Sequence, residues 1–185
     1  SLIVAWGLGM MALAAEILVN ILLWPVVIFL CCKDMELRGL TINRFLFSLF
    51  FVLYPLNIWY NFQYSEAIYG VLLMGAIVAL RSNRVMLAAL LGGFLGASRP
   101  TGFIMVVCLA GWWLYTFYQS NKNQPLQKGA MVDRLREAAL LVFAAGAGLS
   151  LFVLHLYYLL GDGFAFSHVE IAWHRKFQFL PEVLE

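Results

Sequence analysis

Charged side chains are scarce in this 185-residue sequence. Asp, Glu, Lys and Arg make up 12% of it, about half of the roughly 25% that is usual for soluble domains. Hydrophobic residues make up 63% and the mean hydropathy is +0.85. The formal net charge of +2 leaves no basic surplus for a nucleic acid and no acidic surplus for a disordered tail. The composition therefore predicts a membrane protein and excludes nucleic acid as a partner.

Cysteine is also rare, and its spacing excludes a disulfide framework. Cys31 and Cys32 are adjacent, Cys108 stands alone, and none has a zinc-like or thioredoxin-like spacing. The pair is expected to pack as small apolar residues at a helix end, with palmitoylation as the alternative. Because the chain opens at Ser1 without a secretion signal, residues 1–185 are expected to be one transmembrane domain within a larger protein.

Six hydrophobic segments follow one another along the chain, and charge clusters separate them. They are Leu2 to Cys32, Phe45 to Asn61, Ala67 to Leu80, Val85 to Ser98, Thr101 to Tyr118 and Ala138 to Leu160. About 20 apolar residues are needed to cross a hydrocarbon core of about 30 Å. The third and fourth segments hold 14 residues each, so they cross only if their polar flanks lie inside the membrane boundary. The sequence predicts an all-α, polytopic transmembrane helix bundle.

Basic residues gather in alternate connections between these segments. Nine of the twelve occupy three connections: Lys33, Arg38 and Arg44; Arg81 and Arg84; and Lys122, Lys128, Arg134 and Arg136. Since Lys and Arg in short loops mark the cytoplasmic side, these connections are predicted to be cytoplasmic. Glu16, Glu66, Arg99 and the tail from Gly161 then lie toward the other side. We expect a multi-pass protein of a bacterial cytoplasmic membrane, or of the endoplasmic reticulum if the source is eukaryotic.

Small and aromatic residues predict how the helices pack. Gly92 and Gly96 on one segment, and Ala144 to Gly148 on another, form faces that allow helix backbones to approach closely in lipid. Tryptophans and tyrosines at the segment ends, Trp112 and Trp113 among them, are typical of interfacial belts. His155 is expected to form a hydrogen bond between helices, with a proton relay as the alternative.

Two short polar motifs interrupt the apolar helices. In Tyr64-Ser65-Glu66, the serine and glutamate suit a helix N-terminus, but the same groups suit binding of sugar hydroxyls or a divalent metal, and both interpretations stay open. Proline after Arg99 predicts a helix break there. An arginine in the membrane costs roughly 2.5–3.5 kcal/mol and needs an anion. Glu66 is one candidate, and a lipid phosphate, bound through two parallel hydrogen bonds, is favoured.

The tail after Gly161 is the third polar region. Apolar residues recur there at three- and four-residue steps from Phe166 to Leu180, which predicts a C-terminal amphipathic helix in the outer interface. Its polar cluster is either a set of solvated charges on an anchor, with Asp162 as the helix cap, or part of a site; the cluster comprises Asp162, His168, Glu170 and Arg175. A metal held by His168 and His174 is disfavoured because six residues separate them on the helix.

Three motifs resemble those of one enzyme family. Tyr54-Pro55 followed by Tyr64-Ser65-Glu66 is similar to its Phe-Pro and Tyr-Thr-Glu run, and Leu90 to Gly102 is similar to its glycine-rich helix ending in Arg-Pro-x-Gly. Gly161-Asp162, Ala165-Phe166 and Trp173-His174-Arg175 resemble its Gly-Asp-Pro-x-Ala-Phe and Trp-x-Arg segment. The chain thus resembles the PIG-V-like branch of the GT-C membrane glycosyltransferases, which includes the GPI mannosyltransferase that adds the second mannose.

The resemblance implies transfer of a sugar, such as mannose, from a polyprenyl-phosphate donor to a hydroxyl of a glycolipid or glycan on the extracytoplasmic side. It assigns phosphate binding to Arg99 and Arg175, sugar or acceptor positioning to Tyr64 and Glu66, and the shape of the cleft to Asp162, His168 and Glu170. Two positions depart from the pattern: Gly163 replaces a proline, and Glu170 replaces a glutamine.

The resemblance also places the catalytic aspartate of the family in a loop before Ser1. It requires no soluble cofactor, and a divalent metal stays open. A transporter or lipid flippase is one alternative function, but transporters usually combine related halves with a mid-membrane site. A non-catalytic membrane subunit is the other alternative.

Overall fold

The computed structural model describes residues 2–54, 66–122 and 128–172, and these residues form seven α-helices and no β-strand. The helices are α1 (Leu2–Leu37), α2 (Arg44–Leu53), α3 (Glu66–Arg81), α4 (Val85–Ser98), α5 (Pro100–Ser120), α6 (Lys128–Leu160) and α7 (Ala165–Ala172). Three of them contain stretches long and apolar enough to cross a membrane: Ala14–Leu37, Pro100–Ser120 and Gly129–Leu160. The predicted all-α bundle of membrane-type helices is confirmed.

Helix α4 is the centre of the bundle. It packs against α3, α5 and α6, while α1 packs against the other side of α3. The buried core follows this arrangement and draws on α3, α4, α5 and α6, with Leu80, Leu95, Val106 and Leu141 as its largest fully buried apolar side chains. Helix α2 lies outside this core, has no buried residue, and contacts α1 through the ring of Phe51 against Trp24.

The contact between α4 and α6 depends on glycine. A Cβ atom on Gly148 would overlap the carbonyl oxygen of Gly93, and one on Gly96 would overlap the carbonyl oxygen of Ala145. The two backbones therefore touch without intervening side chains, as small-residue faces allow. The two small-residue faces predicted from the sequence are confirmed, and they pack against each other.

The predicted break at Arg99 is also confirmed. Arg99 adopts an extended backbone, with φ −157° and ψ 150°, and Pro100 is the first residue of α5. Gly102 follows, where a Cβ atom would overlap the carbonyl oxygen of Leu95. Helices α4 and α5 are thus joined by one residue, and the side chain of Arg99 projects from the tip of their hairpin.

Two predictions about side-chain position are wrong. Trp113 is only 7% exposed and belongs to the buried core, so it is not a member of a lipid-facing aromatic belt. His155 is exposed on the surface of α6, so it does not lie in a helix interface. Residues 138–160 are apolar around most of the helix, and such a pattern leaves the rotation of the helix about its axis undetermined.

Candidate functional site

The helix ends sort the charged residues into two groups. One group, the basic end, contains the three connections that were predicted to be cytoplasmic; Arg81 at the end of α3 contacts Asp34 of α1, and its guanidinium lies over Trp112 of α5. The other group, the opposite end, contains the start of α3, the α4–α5 hairpin tip and the residues around the start of α7. The sorting agrees with the sequence, and which end faces the cytoplasm stays a prediction.

The opposite end holds an ion pair between two predicted site residues. Arg99 Nη2 donates to Glu66 Oε1 at 2.9 Å, and the two side chains are 38% and 28% exposed. Of the two anions considered for Arg99, the structure contains the carboxylate. The second oxygen, Glu66 Oε2, is buried and accepts no hydrogen bond within the described part of the chain. One acceptor atom of the pair is therefore without a hydrogen-bond donor among the described residues.

Arg99 also lines a cavity of about 340 Å³ between the hairpin tip and α7. Pro100 and Thr101 form one wall, and Phe166 and Ser167 of α7 form the other. The ring of Phe166 packs against Phe152 of α6, with 5.9 Å between ring centroids. Aromatic contact with α6 thus fixes the start of α7 beside Arg99.

Asp162 and His168 form a second pair on the same side of the molecule. Asp162 Oδ1 accepts a hydrogen bond from the backbone N–H of Phe164 at 2.9 Å, and Oδ2 lies 2.6 Å from His168 Nδ1. The hydrogen bond with His168, helped by that backbone N–H, holds the pKa of Asp162 below its usual value. The Asp162 carboxylate thus stabilises the turn that leads into α7, without accepting from a backbone N–H of the described helix itself, and neither residue of this pair lines the Arg99 cavity.

Three other predicted site residues cannot be placed in this geometry. Tyr64 and Arg175 lie outside the described residues, and Glu170 lies on α7 with its side chain outside the described part. Among the side chains that are described, no three His, Cys, Asp or Glu residues come close enough together to hold a metal ion.

The basic end contains a buried carboxylate that sequence reasoning missed. Asp34 is 4% exposed. Its Oδ1 accepts from Nε of Arg81, and its Oδ2 lies 2.7 Å from Arg38 Nη2. Burial of a carboxylate is tolerated when cations and hydrogen bonds engage it. Both oxygens of Asp34 are engaged, so this group ties α1 to α3.

A second missed cluster ties α5 to α6. Glu137 Oε2 accepts from the indole N–H of Trp113 and from Arg134 Nη1, each at 2.9 Å. The guanidinium of Arg134 lies over the rings of Trp113, at 4.5 Å, and Phe117, at 5.3 Å. A buried tryptophan needs an acceptor for its N–H, and the Arg134–Glu137 spacing of three residues fits one helix face. The Arg134–Glu137 spacing was available in the sequence, whereas the burial of Trp113 was not.

Comparison with known proteins adds no further constraint. The chain matches no family model, no curated protein and no solved structure. The function is therefore argued from the residues and geometry described above.

Proposed function

We propose that this chain belongs to a membrane glycosyltransferase. The enzyme would move a sugar, mannose or a similar hexose, from a polyprenyl-phosphate donor to a hydroxyl of a glycolipid or glycan acceptor. The observation that carries the proposal is the Arg99–Glu66 pair: a partly exposed guanidinium beside a cavity, joined to a carboxylate with one oxygen that accepts no hydrogen bond from the described residues. A phosphate needs the first group, and a sugar hydroxyl needs the second.

Arg99 is suited to bind the phosphate of the donor. A guanidinium carries five N–H donors in a fixed plane, so it can hold a phosphate through two parallel hydrogen bonds while it keeps its contact with Glu66. During transfer the bond between the anomeric carbon and the phosphate oxygen breaks, and negative charge develops on the phosphate. A fixed cation beside that oxygen stabilises the transition state more strongly in a partly desolvated site than in water.

Glu66 is suited to orient the sugar or the acceptor. Its Oε1 is held by Arg99, so the carboxylate has a defined direction, and Oε2 can accept a hydrogen bond from a hydroxyl. Glu66 is not among the described residues that line the Arg99 cavity, and it adjoins that cavity through Arg99. Helix α7 forms one wall of the cavity, and the Asp162–His168 pair fixes the turn from which α7 starts. In this proposal Asp162 and His168 shape the cleft, Glu170 and Tyr64 contribute to it, and Arg175 assists Arg99.

The test is transfer activity of Arg99 variants in the full-length protein. Membranes that contain each variant would receive a radiolabelled polyprenyl-phosphate sugar and the acceptor lipids of the host. We expect Arg99→Ala to lower the transfer rate at least about 100-fold, as loss of one charge-stabilising donor does in other enzymes. Arg99→Lys should recover part of the rate, because lysine keeps the charge but loses the two-pronged geometry.

Arg84→Ala is the matched control. Arg84 precedes α4 at the basic end, is exposed, and its side chain makes no capping hydrogen bond. This variant removes the same charge from the other end of the same helix and should keep the transfer rate within about twofold. Undiminished transfer by Arg99→Ala, at equal protein levels in the membrane, would refute the phosphate role.

A further inference from the structure

A second cavity of about 340 Å³ lies at the basic end, at the other end of the helices from the Arg99 cavity. It is bounded by the last two turns of α5, by the α3–α4 turn and by α6. Its polar lining consists of Asn83, Thr116, Ser120, Asn121 and Arg134, and the rings of Trp113 and Phe117 complete it. No carboxylate is among these lining residues, all of which are described.

Arg134 is held in one orientation inside this cavity. Its Nη1 donates to Glu137, and its guanidinium plane lies over two aromatic rings. The side chain is 28% exposed, so part of the cation faces the cavity. Because Arg134 is already ordered, a ligand that binds it loses little additional side-chain entropy.

The charge around the cavity favours an anion. The basic end carries nine Lys and Arg residues against four acidic residues: Asp34, Glu36, Asp133 and Glu137. All four already accept from arginines, and the cations still outnumber them. The excess positive charge raises the local concentration of anions. The side-chain amides of Asn83 and Asn121 can supply hydrogen bonds to phosphate oxygens, because an amide NH2 has two donor hydrogens and Asn121 uses one of them on Phe117.

The position of the cavity selects a lipid as the source of that anion. It lies where α5, a helix long and apolar enough to span a membrane, ends at Ser120. Trp113 presents its ring to the cavity, while its N–H is bound to Glu137 inside the protein. Basic pockets between helices at this depth are suited to anionic headgroups.

We propose that the Arg134 cavity binds the phosphodiester headgroup of an anionic phospholipid, such as phosphatidylglycerol, from the leaflet that the basic end faces. The headgroup phosphate contacts the Arg134 guanidinium and the second N–H of the Asn121 side-chain amide, whose first N–H donates to Phe117, and the acyl chains follow the outer surface of α5. This site is independent of sugar transfer at the opposite end.

The test measures lipid binding by the purified full-length protein in zwitterionic micelles. Brominated phosphatidylglycerol or brominated phosphatidylcholine is titrated in, and quenching of tryptophan fluorescence reports binding. We expect phosphatidylglycerol to bind at least tenfold more tightly than phosphatidylcholine. Arg134→Gln should weaken phosphatidylglycerol binding about tenfold.

Arg136→Gln is the matched control, because it removes the same charge two residues away from a side chain that is 78% exposed and outside the cavity. It should change phosphatidylglycerol binding less than twofold. Equal weakening by the two variants would overturn the proposal, since it would mean that only the general positive charge matters.

A second variant separates binding from folding, because Arg134→Gln also breaks the contact with Glu137. Ser120→Phe fills the cavity and leaves the Arg134–Glu137 pair in place; it should weaken binding as much as Arg134→Gln, and unchanged binding would overturn the proposal. Glycerol phosphate at millimolar concentration should not displace the lipid. If glycerol phosphate displaced the lipid at a concentration equal to that of the lipid, the proposal would be overturned, and the site would be one for a free phosphate.

Discussion

Both ends of the bundle contain ion pairs between arginines and carboxylates, but they leave different polar atoms available to a ligand. At the basic end, Asp34 has both oxygens engaged by arginines, and surplus cations remain. At the opposite end, Glu66 has one cationic partner and one oxygen without a hydrogen bond among the described residues. The first arrangement offers donors to an anion. The second offers a donor and an acceptor together, which suits a ligand with both phosphate and hydroxyl groups.

The largest effect on stability is expected when the buried carboxylate of the basic end, Asp34, is neutralised. Asp34→Asn replaces a buried carboxylate that accepts from both Arg38 and Arg81 with a neutral amide, so both charge-assisted contacts weaken and we expect a loss of about 3 kcal/mol in the free energy of unfolding. Asp133→Asn is the control, because Asp133 is 71% exposed and faces Arg136 at 3.5 Å; it should cost no more than about 1 kcal/mol. Denaturant unfolding in micelles gives both values, and equal losses would contradict the structural role of Asp34.

A smaller loss of stability is expected when the close contact between α4 and α6 is disturbed. Gly148→Ala forces a methyl group against the backbone of Gly93, and overpacking of this kind costs about 1–3 kcal/mol. Gly111→Ala places the same methyl group where no atom lies within 4 Å. The thermal midpoint in micelles should fall for the first variant and stay level or rise for the second. A similar fall for both would mean that the α4–α6 contact is less close than described.

A glutamate-to-glutamine substitution at each end tests directly how the roles of the two ends differ. Glu137→Gln weakens a contact between α5 and α6, so it should reduce stability by about 1 kcal/mol and leave sugar transfer nearly unchanged. Glu66→Gln should affect stability less and lower the transfer rate at least tenfold, because the amide keeps the shape but removes the negative charge. The transfer rate and the thermal midpoint are measured for both variants. If Glu137→Gln lowered transfer while Glu66→Gln lowered stability, the result would contradict the proposal that the opposite end is the site.

The smallest effect is a response to pH at the start of α7. Since the contact with His168 keeps the pKa of Asp162 below its usual value, it stabilises the folded form above that usual value, about 4. The contribution is lost as the pH falls through the lowered pKa. Hydrogen-exchange protection of the α7 amides should therefore decrease on acidification below pH 4. In Asp162→Asn the protection should be lower at neutral pH and independent of this step; identical acid profiles would contradict the role of the pair.

Local signals in the sequence predicted most of the fold. Five of the six apolar segments, the break at Pro100 and the two small-residue faces depend on residues that are near one another in the chain, and each was found where it was expected. The second segment, predicted as Phe45 to Asn61, is helical as far as Leu53, and residues 55–61 lie outside the described residues. The prediction reached the Arg99–Glu66 pair as one of two alternatives, because a charge inside an apolar hairpin requires an anion and few are available.

The rest depends on which helices are neighbours. The Asp34–Arg81 contact joins residues 47 positions apart, and the Trp113–Glu137 contact joins residues 24 apart. Neither could be assigned before the order of helices in the bundle was known. The rotation of α6 was undetermined for a related reason: when apolar residues surround a helix, composition does not indicate which side faces the core, and His155 was placed wrongly.

Helices α3 and α4 have 16 and 14 residues, which corresponds to roughly 24 and 21 Å of length. The two helices are neighbours; α3 begins at Glu66, and α4 ends directly before Arg99. A bilayer with a hydrocarbon thickness of about 30 Å relieves such hydrophobic mismatch by thinning around the short helices. Such thinning would place the Glu66–Arg99 pair below the surrounding membrane surface, and in the proposed enzyme the acyl-chain length of the bilayer would set how deeply a lipid-linked donor must descend to reach it.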